Sequence, residues 1–210
     1  MILVFVAFTY LLAWSNVFTV SSLEIKGAPT SSSAISIKQA VNLRSGEKLA
    51  RVEPRAIGHR ISEIDWVERV EVSRDWISGV VTVTITPRTP TAFYNNKVID
   101  ASGMVFTLPG FSGATLPRVT ASNPSLGVVA INLFQNLPDS MKADVVSLAA
   151  YNESNFSLKI IRDQRQLQIL WGANEQNDLK LQVIDALLAL PENKKIRRID
   201  VSAPHAPIVK

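Results

Sequence analysis

The side chains that could perform catalysis in this sequence are few and widely separated. The two histidines, His59 and His205, have no acidic residue at a spacing recognisable as an acid–base or catalytic-triad arrangement. Ser102 and Ser112 precede glycines in ordinary turn dipeptides, and the G-x-S-x-G elbow of α/β hydrolases does not occur. The chain has no cysteine, which excludes a thiol nucleophile and thiolate metal sites. The sequence therefore predicts a protein that is not an enzyme and has no cofactor or metal.

Cationic residues near the C-terminus suggest binding rather than catalysis. Lys194, Lys195, Arg197 and Arg198 crowd a predicted final strand, Lys195–Ser202. If this strand lies at the edge of a sheet, its backbone N–H and C=O groups can pair with a strand of another chain. The cations fit two compatible roles, since they can prevent self-pairing of the edge or attract an acidic partner segment.

Overall composition limits the remaining classes of partner. Hydrophobic residues make up 47% of the chain and charged residues 19%, which is typical of a globular protein. The net charge of +4 is weak and dispersed, whereas nucleic-acid binding usually shows a concentrated basic stripe. The composition therefore favours neither a nucleic acid nor a small-molecule substrate, and it is compatible with a position beside anionic lipid.

The first 23 residues contain no Asp, Glu, Lys or Arg. A helix from Ile2 to Val20 would span roughly 28 Å, close to the thickness of a bilayer's hydrocarbon core. The alternative is a cleaved signal peptide with its cleavage site at Ala13-Trp14-Ser15. No basic residue precedes Ile2, so either the true start lies upstream or the globular domains alone decide the orientation. Whether the segment is a transmembrane helix or a cleaved signal peptide, the residues after Leu23 are expected to be exported.

The elements predicted up to Pro90 follow the order strand, helix, helix, strand, strand. A strand covers Phe18–Lys26, a helix capped by Ser33 covers Ala34–Leu43, and a second helix runs from Pro54 or Arg55 to about Ile64. Alternating valines on both sides of the segment Arg74–Gly79 predict a hairpin.

Several short motifs accompany this order of elements. They are Gly46 with Leu49 and Val52, Trp66-Val67, Val72-x-Arg74-x-Trp76 and Arg88-x-Pro90-x-Ala92. Together with the order of elements they resemble a POTRA module, in the version found in FtsQ/DivIB, the bitopic cell-division proteins of bacteria. Ile77 stands where the family usually has proline, and Pro87 where it has an acidic residue.

The resemblance continues into the second half of the chain. Residues 98–106 are similar to the hairpin that opens the family's β domain, with Asp100 and Gly103 forming the turn. Further patterns predict two helices, Leu126–Leu137 and Asp178–Leu190. Three strands are predicted between these helices, at Ala143–Tyr151, Phe156–Ile161 and Leu167–Trp171.

The fold class expected from this resemblance is α+β. A single transmembrane helix (residues 1–20) would precede a POTRA domain (21–91) and a mainly antiparallel β domain (92–210) with two helices and a C-terminal edge strand. The resemblance implies a divisome scaffold in the bacterial cell membrane, with its N-terminus inside, its domains extracytoplasmic and its location at midcell during division. Its implied partners are FtsB/FtsL-like proteins and, through the N-terminal helix, membrane lipid. The partner-binding residues implied by the resemblance are Ile199, Asp200, Val201, Ser202, Ala203 and His205, and the cationic residues Arg197 and Arg198 of the same predicted strand complete the predicted site.

Two other functions fit parts of the sequence. A POTRA-bearing transport or outer-membrane biogenesis factor would handle extended polypeptides, but it would be expected to carry several POTRA repeats and a β-barrel, whereas one module is predicted. An exported hydrolase would require a cluster of titratable groups, which the sequence lacks.

Overall fold

A computed structural model describes residues 18–210 of the chain. These residues form two compact units, one of residues 18–88 with 107–112, and one of residues 89–106 with 113–210. The first unit combines helices with a small sheet and the second packs helices against a large sheet. The α+β class predicted from the sequence is therefore confirmed.

The first unit has the predicted β-α-α-β-β order. The elements are β1 (Ser22–Lys26), α1 (Ser31–Val41), α2 (Pro54–Ser62), β2 (Val67–Arg74) and β3 (Val80–Pro87). Between the two helices, residues Leu49–Arg51 form a 3-10 turn. The sheet has the order β1-β3-β2, with β1 parallel to β3 and β2 antiparallel to β3.

The helices of the first unit begin at residues that leave few backbone N–H groups of the first turn without a partner. Thr30 caps α1, because its hydroxyl accepts a hydrogen bond from the Ser33 amide at 3.0 Å. The predicted cap at Ser33 is therefore wrong: Ser33 lies inside the helix and its hydroxyl accepts from the Thr30 amide. Pro54, one of the two predicted start residues, is the first residue of α2, and its missing N–H costs nothing at this position.

The predicted membrane helix lies almost entirely outside the described residues. Of Ile2–Val20, only residues 18–20 are described, and they are not helical. Thr19 forms an antiparallel bridge with Lys48, and the Val20 amide donates to the Glu47 carbonyl at 2.8 Å. Within residues 18–210, every helix is too short or too polar to cross a membrane.

The second unit is built on a nine-stranded mixed sheet. The strands are β4 (Ala92–Tyr94), β5 (Lys97–Ile99), β6 (Val105–Phe106), β7 (Arg118–Ala121), β8 (Val145–Asn152), β9 (Asn155–Arg162), β10 (Arg165–Gly172), β11 (Arg198–Asp200) and β12 (Ile208–Val209). Their order in the sheet is β12-β11-β10-β9-β8-β7-β4-β5-β6. Most neighbours are antiparallel; the parallel pairs are β4–β7, β7–β8 and β10–β11. The helices are α3 (Pro124–Asn136), α4 (Asp139–Asp144) and α5 (Asn177–Ala189).

The two longer helices and several strands of the second unit share one apolar core, in which Phe156 and Trp171 are fully buried. Helix α5 contributes Ile184, as its apolar pattern predicts, but Lys180 rather than Leu179 takes a buried position. The Lys180 ammonium donates to the Ala173 carbonyl at 2.6 Å and lies 5.6 Å from the centre of the Trp171 ring. These contacts satisfy a cation that burial would otherwise penalise.

The predicted turn at Asp100 is present in the second unit. The Asp100 carboxylate accepts hydrogen bonds from the Ser102 and Met104 amides, both at 2.9 Å. Gly103 has a φ of +88°, a conformation that favours glycine. This turn joins β5 to β6, which pair antiparallel as expected for a hairpin.

Candidate partner-binding edge

The C-terminal strand pair is positioned by a crossover through α5. After β10 the chain passes through this helix and returns as β11, which pairs parallel to β10 with Ile199 opposite Ile169. The Gln168 amide donates to the Arg197 carbonyl at 2.8 Å, and the Val201 amide donates to the Leu170 carbonyl at 2.9 Å. The side chains of Ile199 and Val201 are completely buried and therefore anchor β11 to the core.

A tight reversal follows β11. The Asp200 carboxylate accepts hydrogen bonds from the Ser202 amide at 3.0 Å and the Ser202 hydroxyl at 2.6 Å. The Ala206 amide then donates to the Ala203 carbonyl at 2.9 Å. The chain turns back on itself and brings β12 alongside β11.

The edge of the sheet is formed by β12 rather than by the predicted strand Lys195–Ser202. Ile199 lies opposite Val209, and Asp200 lies opposite Ile208, in an antiparallel pair. The prediction that Lys195–Ser202 is the edge strand is therefore wrong, and the regular strand is limited to Arg198–Asp200. The reason is the reversal after Ser202, which lets the following residues take up the backbone groups of β11.

The open side of β12 carries the backbone groups of Val209. Arg198 and Lys210 exchange two hydrogen bonds of 3.0 Å, so they form a hydrogen-bonded pair. In an antiparallel ladder the next pair, Ile199 and Val209, is not hydrogen-bonded. The N–H and C=O of Val209 consequently point away from β11. The Val209 side chain packs against the core, while Ile208 is 56% exposed.

A cationic groove lies beside the start of β11. It has a volume of about 800 Å³. The Arg165 guanidinium donates to the Lys194 carbonyl at 2.8 Å, which joins two parts of the groove wall. All the charged residues that line the groove are cations, namely Lys159, Arg165, Lys194, Lys195 and Arg197. The groove carries a concentrated positive charge, and β12 separately offers backbone groups for strand pairing.

Comparison with known proteins identifies both units. The family model for the FtsQ-type POTRA domain matches residues 18–88, and the model for the FtsQ/DivIB C-terminal domain of cell division proteins matches residues 91–202. The chain belongs to the FtsQ/DivIB family. It is similar to the cell division protein FtsQ of Corynebacterium glutamicum, with 26% identity over 97% of this chain and 92% of that protein. It is also similar to the cell division protein FtsQ of Salinibacter ruber, with 25% identity over 64% of this chain and 58% of that protein.

Membership of the FtsQ/DivIB family makes this chain a cell-division protein and a component of the divisome. The family implies protein–protein interactions within the divisome. This assignment favours the division protein over the POTRA-bearing transport factor that the sequence also suggested. The matched C-terminal domain ends at residue 202, so β12 lies beyond it.

The eight residues predicted to bind a partner do not all face solvent. Arg197, Arg198, Ser202, Ala203 and His205 are exposed, and Asp200 is half-buried and holds the reversal. Ile199 and Val201 are buried, so their side chains cannot contact a partner. Sequence reasoning missed Ile208–Lys210. The signal was present as an apolar pair after two closely spaced prolines, which is typical of a turn followed by a strand.

Candidate catalytic groups remain separated in the described part of this FtsQ/DivIB chain. His59 does have an acidic neighbour, contrary to the prediction, since its Nδ1 lies 3.5 Å from a carboxylate oxygen of Glu63. Both side chains are about two-thirds or more exposed, and a solvated pair one helical turn apart is typical of a helix surface. Residues 18–210 contain no group of three or more acidic or histidine side chains arranged to hold a metal ion.

Proposed function

We propose that this protein is a non-enzymatic divisome scaffold, attached to the cell membrane by one helix within residues 1–20, that recruits FtsB/FtsL-like partners and helps to control septal peptidoglycan synthesis. Its domains act outside the cytoplasm, with the N-terminus inside, and it gathers at midcell during division. The observation that carries the proposal is the open side of β12, where the Val209 backbone groups point away from the sheet.

Binding takes place by strand addition. An extended partner segment aligns with β12 and exchanges hydrogen bonds with the N–H and C=O of Val209. Apolar partner side chains on the core-facing side extend the contact made by Val209, and those on the other side meet the exposed Ile208. The backbone supplies affinity, and the alternating side chains supply register.

The cations next to this edge select the charge of the partner. Arg197 and Arg198 are exposed at the start of β11, and Arg197 also lines the cationic groove. An acidic residue on the partner segment is attracted to this field, which raises the association rate and makes it sensitive to salt. Ser202, Ala203 and His205 border the bound segment from the reversal, while Asp200 holds the reversal in shape.

The direct test is proline at Val209. Val209→Pro removes an N–H that points away from β11, so the sheet keeps its own hydrogen bonds. Binding of the extracytoplasmic segment of an FtsB-like protein, measured by calorimetry, should weaken by about tenfold, which corresponds to the loss of one hydrogen bond. Val209→Ile retains the N–H and should bind like the unmodified chain. Normal affinity in a folded Val209→Pro variant would contradict strand addition.

Val201→Pro, at a residue of the predicted site, is not a suitable test of strand addition. The Val201 amide donates to Leu170 inside the sheet, so Val201→Pro would damage the fold itself. A tagged full-length protein provides the cellular test. A band at midcell in dividing cells supports the divisome role, and an even signal around the cell periphery contradicts it.

A further inference from the structure

The hairpin between β2 and β3 ends in a rigid tip with an exposed apolar residue. Ile77 is 99% exposed, at the outermost position of the connection. The Asp75 carboxylate accepts hydrogen bonds from the Ile77 amide at 2.8 Å and the Ser78 amide at 3.3 Å. The Gly79 amide donates to the Asp75 carbonyl at 3.0 Å. These bonds hold the backbone of the tip, so the exposure of Ile77 is a fixed feature.

The described chain begins against this tip. The Ser21 amide donates to the Gly79 carbonyl, and the Ser21 hydroxyl donates to the Ser78 carbonyl, both at 2.8 Å. The Phe18 ring meets the Trp76 ring edge to face, with their centres 6.2 Å apart. Gly79 has a φ of +74°, and a Cβ there would lie 2.5 Å from the Thr19 carbonyl oxygen. The first segment and the tip are therefore closely packed.

The segment before Phe18 is uncharged and mostly apolar, and its polar residues include Ser15 and Asn16. Residues 1–17 contain no charged side chain, and Val17 is joined directly to the residue that packs on Trp76. If residues 1–17 occupy a bilayer, as the proposed function requires, the hairpin tip is held within a few residues of the membrane surface. Single exposed apolar residues are common on protein surfaces, but Ile77 is almost completely exposed at a tip that packs against the start of the described chain.

The chemistry of the tip fits the boundary between headgroups and acyl chains. Tryptophan is enriched at this depth because its ring is apolar and its N–H remains polar. The Arg74 guanidinium lies 4.7 Å from the centre of the Trp76 ring, and arginine can keep its charge among headgroups while its stem contacts apolar groups. Asp75 is the acidic group at the tip. Its hydrogen bond from the Ile77 amide lowers its pKa, so it stays ionised and limits the tip to the polar boundary.

We propose that Phe18, Trp76 and Ile77 form a lipid-binding surface that inserts into the interfacial layer of a phospholipid bilayer. This inference rests on the membrane attachment in the proposed function. Two points of attachment, the N-terminal segment and the hairpin tip, fix the orientation of the POTRA unit on the membrane surface. One point alone would leave the unit free to swing about Phe18.

Site-specific labelling tests the surface. The chain has no cysteine, so Ile77→Cys and the control Glu68→Cys each provide a single labelling site. Glu68 is exposed near the other end of β2, roughly 20 Å along the strand from the tip. Each full-length protein is labelled with an environment-sensitive nitrobenzoxadiazole dye and reconstituted into vesicles of phosphatidylcholine and phosphatidylglycerol. The quencher is brominated phosphatidylcholine in the same bilayer.

The expected result is that brominated lipid quenches the probe at residue 77 several-fold more than the probe at residue 68, and that iodide in solution quenches it several-fold less. Equal lipid quenching at both positions, in protein that floats with the vesicles, would overturn the inference and leave the proposed function intact. Shielding of residue 77 from iodide without lipid quenching would also overturn it, by showing that protein covers the tip. Protein that does not float with the vesicles would refute the membrane attachment itself.

Discussion

Arg74 connects the hairpin of the POTRA unit to the segment before α2, and its removal should loosen this unit alone. One guanidinium nitrogen donates to the Leu49 carbonyl at 2.7 Å and also to the Val52 carbonyl. The same group stacks on Trp76. Arg74→Met keeps an unbranched apolar stem against the ring and removes both hydrogen bonds and the cation–π contact.

The magnitude follows from these contacts. A hydrogen bond from a charged donor contributes about 1.5–3 kcal/mol, and a cation–π contact at an exposed site contributes about 0.5–1 kcal/mol. Arg74 is half-buried, so water can reach part of the freed carbonyl groups. We therefore expect only about half of the sum of these contributions, a loss of about 2–4 kcal/mol in the free energy of unfolding of the first unit.

Native-state amide hydrogen exchange measures this loss separately in each unit. The amides of the central strand β3 should exchange roughly 30- to 700-fold faster in Arg74→Met, because each 1.4 kcal/mol changes an equilibrium tenfold. The amides of β9 in the second unit should be unchanged. Arg69→Met is the matched control, since Arg69 lies exposed on the same strand and its loss should change stability by less than about 0.5 kcal/mol.

The reasoning would be refuted by an acceleration of β3 exchange below about fivefold in Arg74→Met, which corresponds to roughly 1 kcal/mol. That result would mean that water can take over the hydrogen bonds of the Arg74 guanidinium with little loss in the free energy of unfolding. An equal acceleration in Arg69→Met would mean that any loss of positive charge from this strand, rather than the contacts of Arg74, determines stability.

Two further substitutions test the second unit. Gly172→Ala should lower the stability of the second unit by about 2–4 kcal/mol in urea denaturation, because Gly172 has a φ of +71° and the new Cβ would lie 2.7 Å from the Ser202 Cβ. The control is Gly46→Ala in the first unit, where the φ is +84° and the space around the new Cβ is open. This change should cost only about 1 kcal/mol. Burial lowers the pKa of Lys180 despite the opposing charge of Glu175, so the unfolded state holds the proton at a pH where the folded state has released it. The contribution of Lys180 to the free energy of unfolding should therefore rise with pH between the lowered pKa and the ordinary value of 10.5. Denaturation midpoints measured across this pH range should show the rise in the unmodified chain and not in Lys180→Met.

Long periodic segments of this chain were predictable from sequence. The valine alternation on both sides of the hairpin tip predicted β2 and β3, and the spacing of Ile57 and Ile61 predicted the buried face of α2. In these segments local preference and burial favour the same structure. The short strands β4 and β7 and the six-residue helix α4 were not predicted, because three to six residues are too few to show a period.

The candidate edge was predicted only in part. The sequence indicated a cationic final strand, and the structure places Arg197 and Arg198 next to the edge. Which strand is outermost depends on pairing between residues far apart in the sequence, and local patterns do not contain this information. Val201 illustrates the difference: it suits an exposed edge strand by residue type, but its side chain is completely buried and its amide bonds to β10.

The crossover through α5 also affects when the proposed partner-binding edge can form during folding. Pairing of β11 with β10 closes a loop that contains α5, whereas β12 pairs with β11 across a short reversal. Contacts across a long loop are expected to form late, because the loop must close before any hydrogen bond repays its entropy. The hairpin of the POTRA unit, in contrast, joins neighbouring strands and can form early. We therefore expect a partner to meet β12 in its place on the sheet only after β11 has paired with β10.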